Sequence, residues 1–332
     1  MAYSQITHRS RMENCLSGVK NDQIPVALWR HFPVDDQTPG NLASATINFQ
    51  KTYDFDFIKV SPSSSYCLND WGVEDRWTGN PEGSREYSKH VINEPEDWLK
   101  LKNLDPRKGA LGNQLECLKA VVKEFSPHTP IIQTIFSPMA QAKNLIGKDK
   151  LQVHLRSAPD ALHEGLKIIT QTTIKFIEQI SILGIDGLFY SIQHAQLNTL
   201  SIPEFASFQK FYDLQILNAA KKFWLNVGHI HGEDLMFSEV INYPFAVLNW
   251  HDRSTQPSLS EGQKMFKGAI CGGLRQWDTM AYGTARQVRL EALDAMRQTS
   301  GQKFILGTGC VCPIITPHGN FMEAVQTVKF FE

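Results

Sequence analysis

Eight short apolar runs, separated by stretches of helical period over 332 residues, predict an α/β protein: a (β/α)8 barrel in one domain spanning residues 1–332. The runs are rich in Val, Ile, Leu and Phe and lack the polar/apolar alternation of a half-exposed strand, which is the pattern of parallel strands buried on both faces. A doubly wound sheet at this length usually reaches only about five to seven strands, so eight favour a barrel.

In chain order the runs are PVALWRHF (25–32), FDFIKV (55–60), PIIQTIFS (130–137), GIDGLFYS (184–191), KFWLNVGH (222–229), PFAVLNW (244–250), KGAICGG (267–273) and KFILGTG (303–309). Helices are expected between them. After the third run, Leu162, Leu166, Ile169, Thr173, Phe176 and Ile180 recur at steps of four and three, a mostly apolar seam that packs on a sheet. Ser201 with Glu204 and Thr284 with Gln287 have capping-box spacing, and Thr316 before Pro317 reads as an N-cap with proline in the first turn. Phe330 and Phe331 read as helix packing. The stretch 61–129 is longer than a crossover needs and rich in turn formers (SPSSSY, TGNPEGSREY), so it reads as an elaborated loop with helices over the barrel mouth.

Composition removes several function classes. Lys and Arg total 33 against 34 Asp and Glu, which leaves no general field for a nucleic acid or an anionic membrane. Neither GxGxxG nor GxxxxGK[ST] occurs, so nucleotide binding has no motif behind it. The six cysteines are dispersed, unlike a secreted disulfide framework, and no window approaches the ~18 apolar residues of a membrane span. With no apolar stretch in the first twenty residues either, the expectation is a cytoplasmic protein.

Barrel chemistry sits at the C-terminal strand ends. There the runs deliver Arg30–His31, Gln193–His194, His229–Ile230–His231, Trp250–His251–Asp252–Arg253 and Cys310–Val311–Cys312, gathering five of the 11 histidines. His229 and His231 are two apart, so on a continuing strand both imidazoles point to one side; Cys310 and Cys312 stand in the same relation. Two imidazoles and a thiolate from His229, His231 and Cys310 are a donor set zinc prefers, with a fourth position left for water, substrate or a carboxylate such as Glu233 or Asp234. The opposing reading makes these strand-end and core residues. Arg30 and Arg253 offer forked donors to a substrate anion, or else close the mouth through ion pairs with Asp252 or Glu233. His251 and Asp252 could form a base with its orienting partner, against which stands that adjacent residues on a strand point opposite ways.

Several segments together resemble the uroporphyrinogen decarboxylase superfamily: RMENCLSGVKNDQIPVALWRH at the start, then YDFDFIKVSPSSSY, SPMAQAKNLIG, GIDGLFYS, GHIHGED, FAVLNWHDR and FILGTGCVCPIITPHGNFMEAV. The resemblance covers nearly the whole chain. It implies a (β/α)8 barrel and one of two chemistries: decarboxylation of a tetrapyrrole without a cofactor, or zinc-dependent methyl transfer between a corrinoid and a thiol. The decarboxylase pattern is thinned here. Its RQAGR segment is represented only by Arg30 in LWRHFP, its Asp falls near Ser61, its Tyr near Asn144 and its His near Cys310. The methyltransferase pattern, His-x-Cys on one strand and Cys after the last, is met with His231 in place of the first cysteine and Cys310 as the second. Exchanging a thiolate for a neutral imidazole makes a bound ion more electrophilic.

The sequence thus points to an enzyme of this superfamily, a methyltransferase by a slight preference on site residues or a decarboxylase by whole-chain resemblance. A non-catalytic tetrapyrrole-binding barrel is the third reading. His231, Cys310 and His251 are the expected catalytic residues, and Arg30, His31, His194 and Arg253 the substrate-binding ones. His229, His231 and Cys310 are the expected metal ligands. The mouth is expected where Arg30, His194, His231, His251 and Cys310 converge. The partners implied are a small-molecule substrate, a corrinoid protein and a second copy of the chain.

Overall fold

A computed structural model of the chain describes residues 6–330; the packing expected of Phe330 and Phe331 falls outside what it describes. Seven parallel strands form one curled sheet in the order β1 (Ile58–Val60), β4 (Ile131–Phe136), β5 (Gly187–Ile192), β6 (Val227–Ile230), β7 (Val247–Trp250), β8 (Ala269–Leu274) and β9 (Phe304–Thr308). Each coincides with one of the apolar runs, β5, β6 and β8 ending one residue past it. The run 25–32 is not a strand: a single parallel bridge joins Val26 to Leu306. Pro25 has no N–H to give, and the Val26 N–H is taken by the Asp56 carboxylate at 2.7 Å, so a ladder cannot propagate. The segment nevertheless touches both sheet edges, since Ala27 N–H donates to Leu306 O and Asp56 N–H to Val26 O.

Side-chain alternation along these strands creates two cores. Ala27, Trp29, Phe57, Ile132, Phe189, Val227, Val247, Ala269, Cys271 and Ile305 fill the concave side with Met12 and Cys15 of α1 (His8–Ser17). Cys15 Sγ donates to Phe304 O at the start of β9, so α1 plugs the N-terminal end of the sheet. Any open space must lie at the other end. The convex side packs against the helices α2 (Pro39–Tyr53), α3 (Gly109–Phe125), α4 (Pro138–Ile146), α5 (Lys148–Ser157) and α6 (Pro159–Ile180). The remaining α-helices are α7 (Ile202–Glu204), α8 (Phe211–Ala219), α9 (Phe237–Val240), α10 (Leu259–Met265), α11 (Ala285–Thr299) and α12 (His318–Thr327). The expected seam Leu162, Leu166, Ile169, Thr173, Phe176 and Ile180 is buried along α6. The boxes Ser201/Glu204 and Thr284/Gln287 cap α7 and α11. The cap at 316 is displaced by one: Pro317 precedes α12, and Thr316 Oγ1 caps nothing.

The stretch 61–129 divides. Its last part is α3, an ordinary crossover helix that buries Leu111, Leu115, Leu118 and Val121 on the outer side rather than lying over the mouth. Its first part contains an antiparallel hairpin, β2 (Glu74–Arg76) with β3 (Glu86–Lys89), whose tip reaches the C-terminal end of the sheet. Gly83 seats that tip: its φ is +77°, and a Cβ there would lie 2.4 Å from His31 Cβ. A buried Arg85–Asp36 ion pair pins the hairpin next to that tip. All six cysteines are free thiols. Among the described residues, no helix is long and apolar enough to cross a membrane.

Candidate metal centre at the C-terminal edge of the sheet

The strand register assembles the site. β6 and β7 pair with His229 opposite Asn249 and Ile230 opposite Trp250, which brings the following residues, His231 and His251, side by side. Cys310 follows β9 and turns in above them. Cys310 Sγ lies 3.7 Å from His229 Nε2 and 3.8 Å from His231 Nδ1, and His251 Nε2 lies 3.3 Å from His231 Nδ1. All four donor atoms are within 4.8 Å of one another. A tetrahedral zinc with bonds of ~2.0–2.1 Å to nitrogen and ~2.3 Å to sulfur separates its ligands by about 3.3 Å (N to N) and about 3.6 Å (N to S). The three shortest separations match that geometry to within about 0.2 Å.

Orientation of His229 is fixed from behind. Asn249 Nδ2 donates to Cys271 O and Thr308 O, both at 2.9 Å, so its Oδ1 must accept from His229 Nδ1 at 2.7 Å. That leaves the Nε2 lone pair directed at the cluster, as a ligating histidine requires. Burial, reinforced by the neighbouring imidazoles, pushes His229 well below the ordinary histidine range and His231 down to about 4, so both are neutral donors near pH 7. Burial likewise lifts the Cys310 thiol to about 11, which makes a thiolate there dependent on a cation.

The expected residues separate on inspection. His229, His231 and Cys310 stand together, and His251, expected as a catalytic residue, joins them in the fourth position, the one left to water, substrate or a carboxylate such as Glu233 or Asp234; both of those are exposed. His31 lines the same cavity as His229, His231 and Cys310. His194, buried with Nδ1 unpartnered, lines a larger cavity of about 600 Å³ that shares His231 and Gln193 with the first. Arg30 is a correction. Trp29 and His31 face in, so by alternation Arg30 faces out, its guanidinium 5.2 Å and 5.5 Å from the Phe32 and Phe49 rings and bonded to Ile314 O. Arg253 is a second correction, since it donates to Gly273 O, Asp294 and Glu291 O, which is the ion-pair alternative. Asp252 accepts from Gly273 N–H and turns away from His251. Cys312 diverges from Cys310 because the chain bends after β9, and it is buried beside Thr308 at 3.7 Å.

One further residue completes the site. Lys59, in the middle of β1, points into the cavity with its Nζ 2.9 Å from Ser61 Oγ. A lysine inside the run FDFIKV was the available signal, because an apolar strand buried on both faces does not otherwise carry a charge. Burial lowers its pKa to about 7.

The family model described as Uroporphyrinogen decarboxylase (URO-D) matches residues 7–331. No protein with a curated description matches the sequence. Among solved structures, a methyltransferase from Methanosarcina mazei is 18% identical, with 98% of each chain covered and a TM-score of 0.85. A B12-independent methionine synthase from Shewanella sp. W3-18-1, in complex with selenomethionine, is 11% identical, with 92% of this chain and 97% of that one covered and a TM-score of 0.61. At these identities the likeness is one of fold.

Proposed function

We propose that this chain, which belongs to the uroporphyrinogen decarboxylase family, is a methyltransferase that uses one zinc ion held by His229, His231, His251 and Cys310. The observation that carries the reading is the four-donor cluster at ligand spacing, with His229 oriented by Asn249, beside a cavity large enough for a small molecule. When bound, the ion would supply a Lewis acid that favours the acceptor sulfur as thiolate, with one of the four side chains giving way to it. The likeness in fold to a methyltransferase and a methionine synthase is consistent with that chemistry.

The chain's own residues divide the work. Asn249 fixes the His229 tautomer, and the hairpin tip at Glu82–Ser84 covers the acceptor cavity, limiting water. The acceptor thiol gives up its proton to solvent, its sulfur forms the new C–S bond, and the donor–methyl bond breaks with its electron pair left on the donor. The larger cavity along His194, His231 and Gln193 is the approach for that donor, a corrinoid in the reading that the sequence resemblance suggests. The same reading takes the segment 25–32 as the eighth stave of a closed barrel, since it bonds to both sheet edges. Decarboxylation is less well served, because Arg30 faces away from the cavity.

The test is methyl transfer from methylcobalamin to small thiols, alongside the zinc content of the purified protein. His231→Ala and Cys310→Ser are each expected to lose most of the zinc and the transfer. Full zinc in either variant removes that residue from the site, and a zinc-loaded protein inert toward every thiol overturns the methyl-transfer reading.

A further inference from the structure

Two cavities lie side by side at the C-terminal edge of the sheet without merging. The smaller, about 200 Å³, has His229 and Cys310 in its wall, and the larger, about 600 Å³, runs past Lys143 and His194. They have two wall residues in common, His231 and Gln193. His231 is committed to the cluster, 3.8 Å from Cys310 Sγ and 3.3 Å from His251 Nε2, which leaves Gln193 as the part of the divide that a single side chain opens or closes. The Gln193 backbone is anchored: its carbonyl accepts from Gln196 Nε2 at 2.8 Å, and Gln196 Oε1 accepts from Glu233 N–H at 3.0 Å, which ties the loop after β5 to the loop after β6. Its side chain hangs on one bond, from Lys143 Nζ of α4 to Oε1 at 2.7 Å. Burial, with Lys148 nearby, lowers the Lys143 pKa to about 8, so near pH 7 the donor is still an ammonium. A hydrogen bond from a charged donor is about twice as strong as a neutral one, enough to hold a glutamine in one rotamer.

We infer that Gln193 is the partition between the acceptor and donor sites and sets how long an acceptor can be, with Lys143 as the positioning residue that holds it in place. The inference rests on the proposed function for naming the two sides, and on the two cavities alone for the partition. The smaller cavity has room for about seven water-sized groups at roughly 30 Å³ each, so a longer chain must stay out or push the amide aside. Beyond Gln193 the larger cavity offers Met139, Leu151 and Leu155, apolar surface for a longer chain to rest on once the amide is gone.

Binding to the protein as isolated is measured by calorimetry with one uncharged series: 2-mercaptoethanol, 4-mercapto-1-butanol, 6-mercapto-1-hexanol and 8-mercapto-1-octanol. In wild-type protein affinity should fall by about tenfold at each step beyond the butanol, the order of discrimination a filled pocket makes. In Gln193→Ala the fall should disappear, the two longest thiols binding at least as tightly as the butanol, while zinc content and thermal stability hold. Lys143→Met should relax the limit in the same direction, and Lys143→Arg, which can still donate to Gln193 Oε1, should restore it; a lysine with a merely structural role would weaken every thiol alike and leave the length dependence as it was. Modification of Cys310 judges the partition even if the metal reading fails. In the chelator-treated full chain, the rate with N-ethylmaleimide relative to that with the smaller iodoacetamide, read at Cys310 by mass spectrometry, should be severalfold higher in Gln193→Ala than in wild type. A length dependence or a reagent ratio that Gln193→Ala leaves unchanged overturns the inference.

Discussion

Replacing Asn249 with leucine removes the residue that orients His229 while keeping the side-chain volume. Asn249 is fully buried and makes three bonds, at 2.7 Å to His229 Nδ1 and 2.9 Å to each of the Cys271 and Thr308 carbonyls. The substitution leaves one N–H and two carbonyls short of a partner, at about 1 kcal/mol each at the low end, because each carbonyl keeps a second lone pair; the sum is about 3 kcal/mol. At ~2.1 cal/mol/K per residue the unfolding entropy of this chain is roughly 0.7 kcal/mol/K, so Tm should fall by about 4 °C. The larger effect is on the metal. Losing the partner that sets a ligand's tautomer typically weakens metal affinity by about 10- to 100-fold. Zinc affinity measured by competition with a fluorescent chelator, next to a thermal melt, separates the two effects. In a His229→Ala background the same substitution should change affinity no further, since the two residues act as one unit. A variant that melts lower but binds zinc as tightly as wild type would refute the account of His229 as an oriented ligand.

Arg30→Ala should lower stability by about 1–2 kcal/mol, from two cation–π contacts and a hydrogen bond, and leave thiol affinity unchanged; lost affinity at unchanged Tm would restore Arg30 to the substrate site. Asp213, buried between Tyr190, Gln209 and Tyr243, has its pKa raised to about 7 by burial. Its proton is bound more strongly in the folded state, so its contribution is fully present below about pH 4 and is lost as pH rises through 7. Between pH 4 and 8 the wild-type protein should therefore lose a few kcal/mol relative to Asp213→Asn; melts that run parallel across that range would disprove it.

Legibility in the sequence followed burial. Strands apolar on both faces announced themselves as unbroken runs, which is why β1 and β4 to β9 were found, and the same property hid which residues face inward. The side that Arg30 faces is hidden for that reason: its neighbours Trp29 and His31 carry no polar/apolar contrast that reveals the alternation. The hairpin at Glu74–Arg76 and Glu86–Lys89 escaped because its strands are polar and largely exposed, leaving no apolar run to read. His229 and His231 could be paired by spacing within one strand. Their meeting with His251 depends on the register between β6 and β7, and with Cys310 on the bend after β9, neither of which is written in a local pattern. The capping boxes at Ser201 and Thr284 were legible because a cap is a local device of four residues.

X-ray absorption at the zinc edge of the purified protein tests the central claim most directly, because it counts the ligands by element. The account predicts about one zinc per chain with one sulfur and three imidazole nitrogens as neighbours, and loss of the sulfur shell in Cys310→Ser. A folded protein that neither retains nor takes up zinc, or a zinc shell without sulfur, would contradict it.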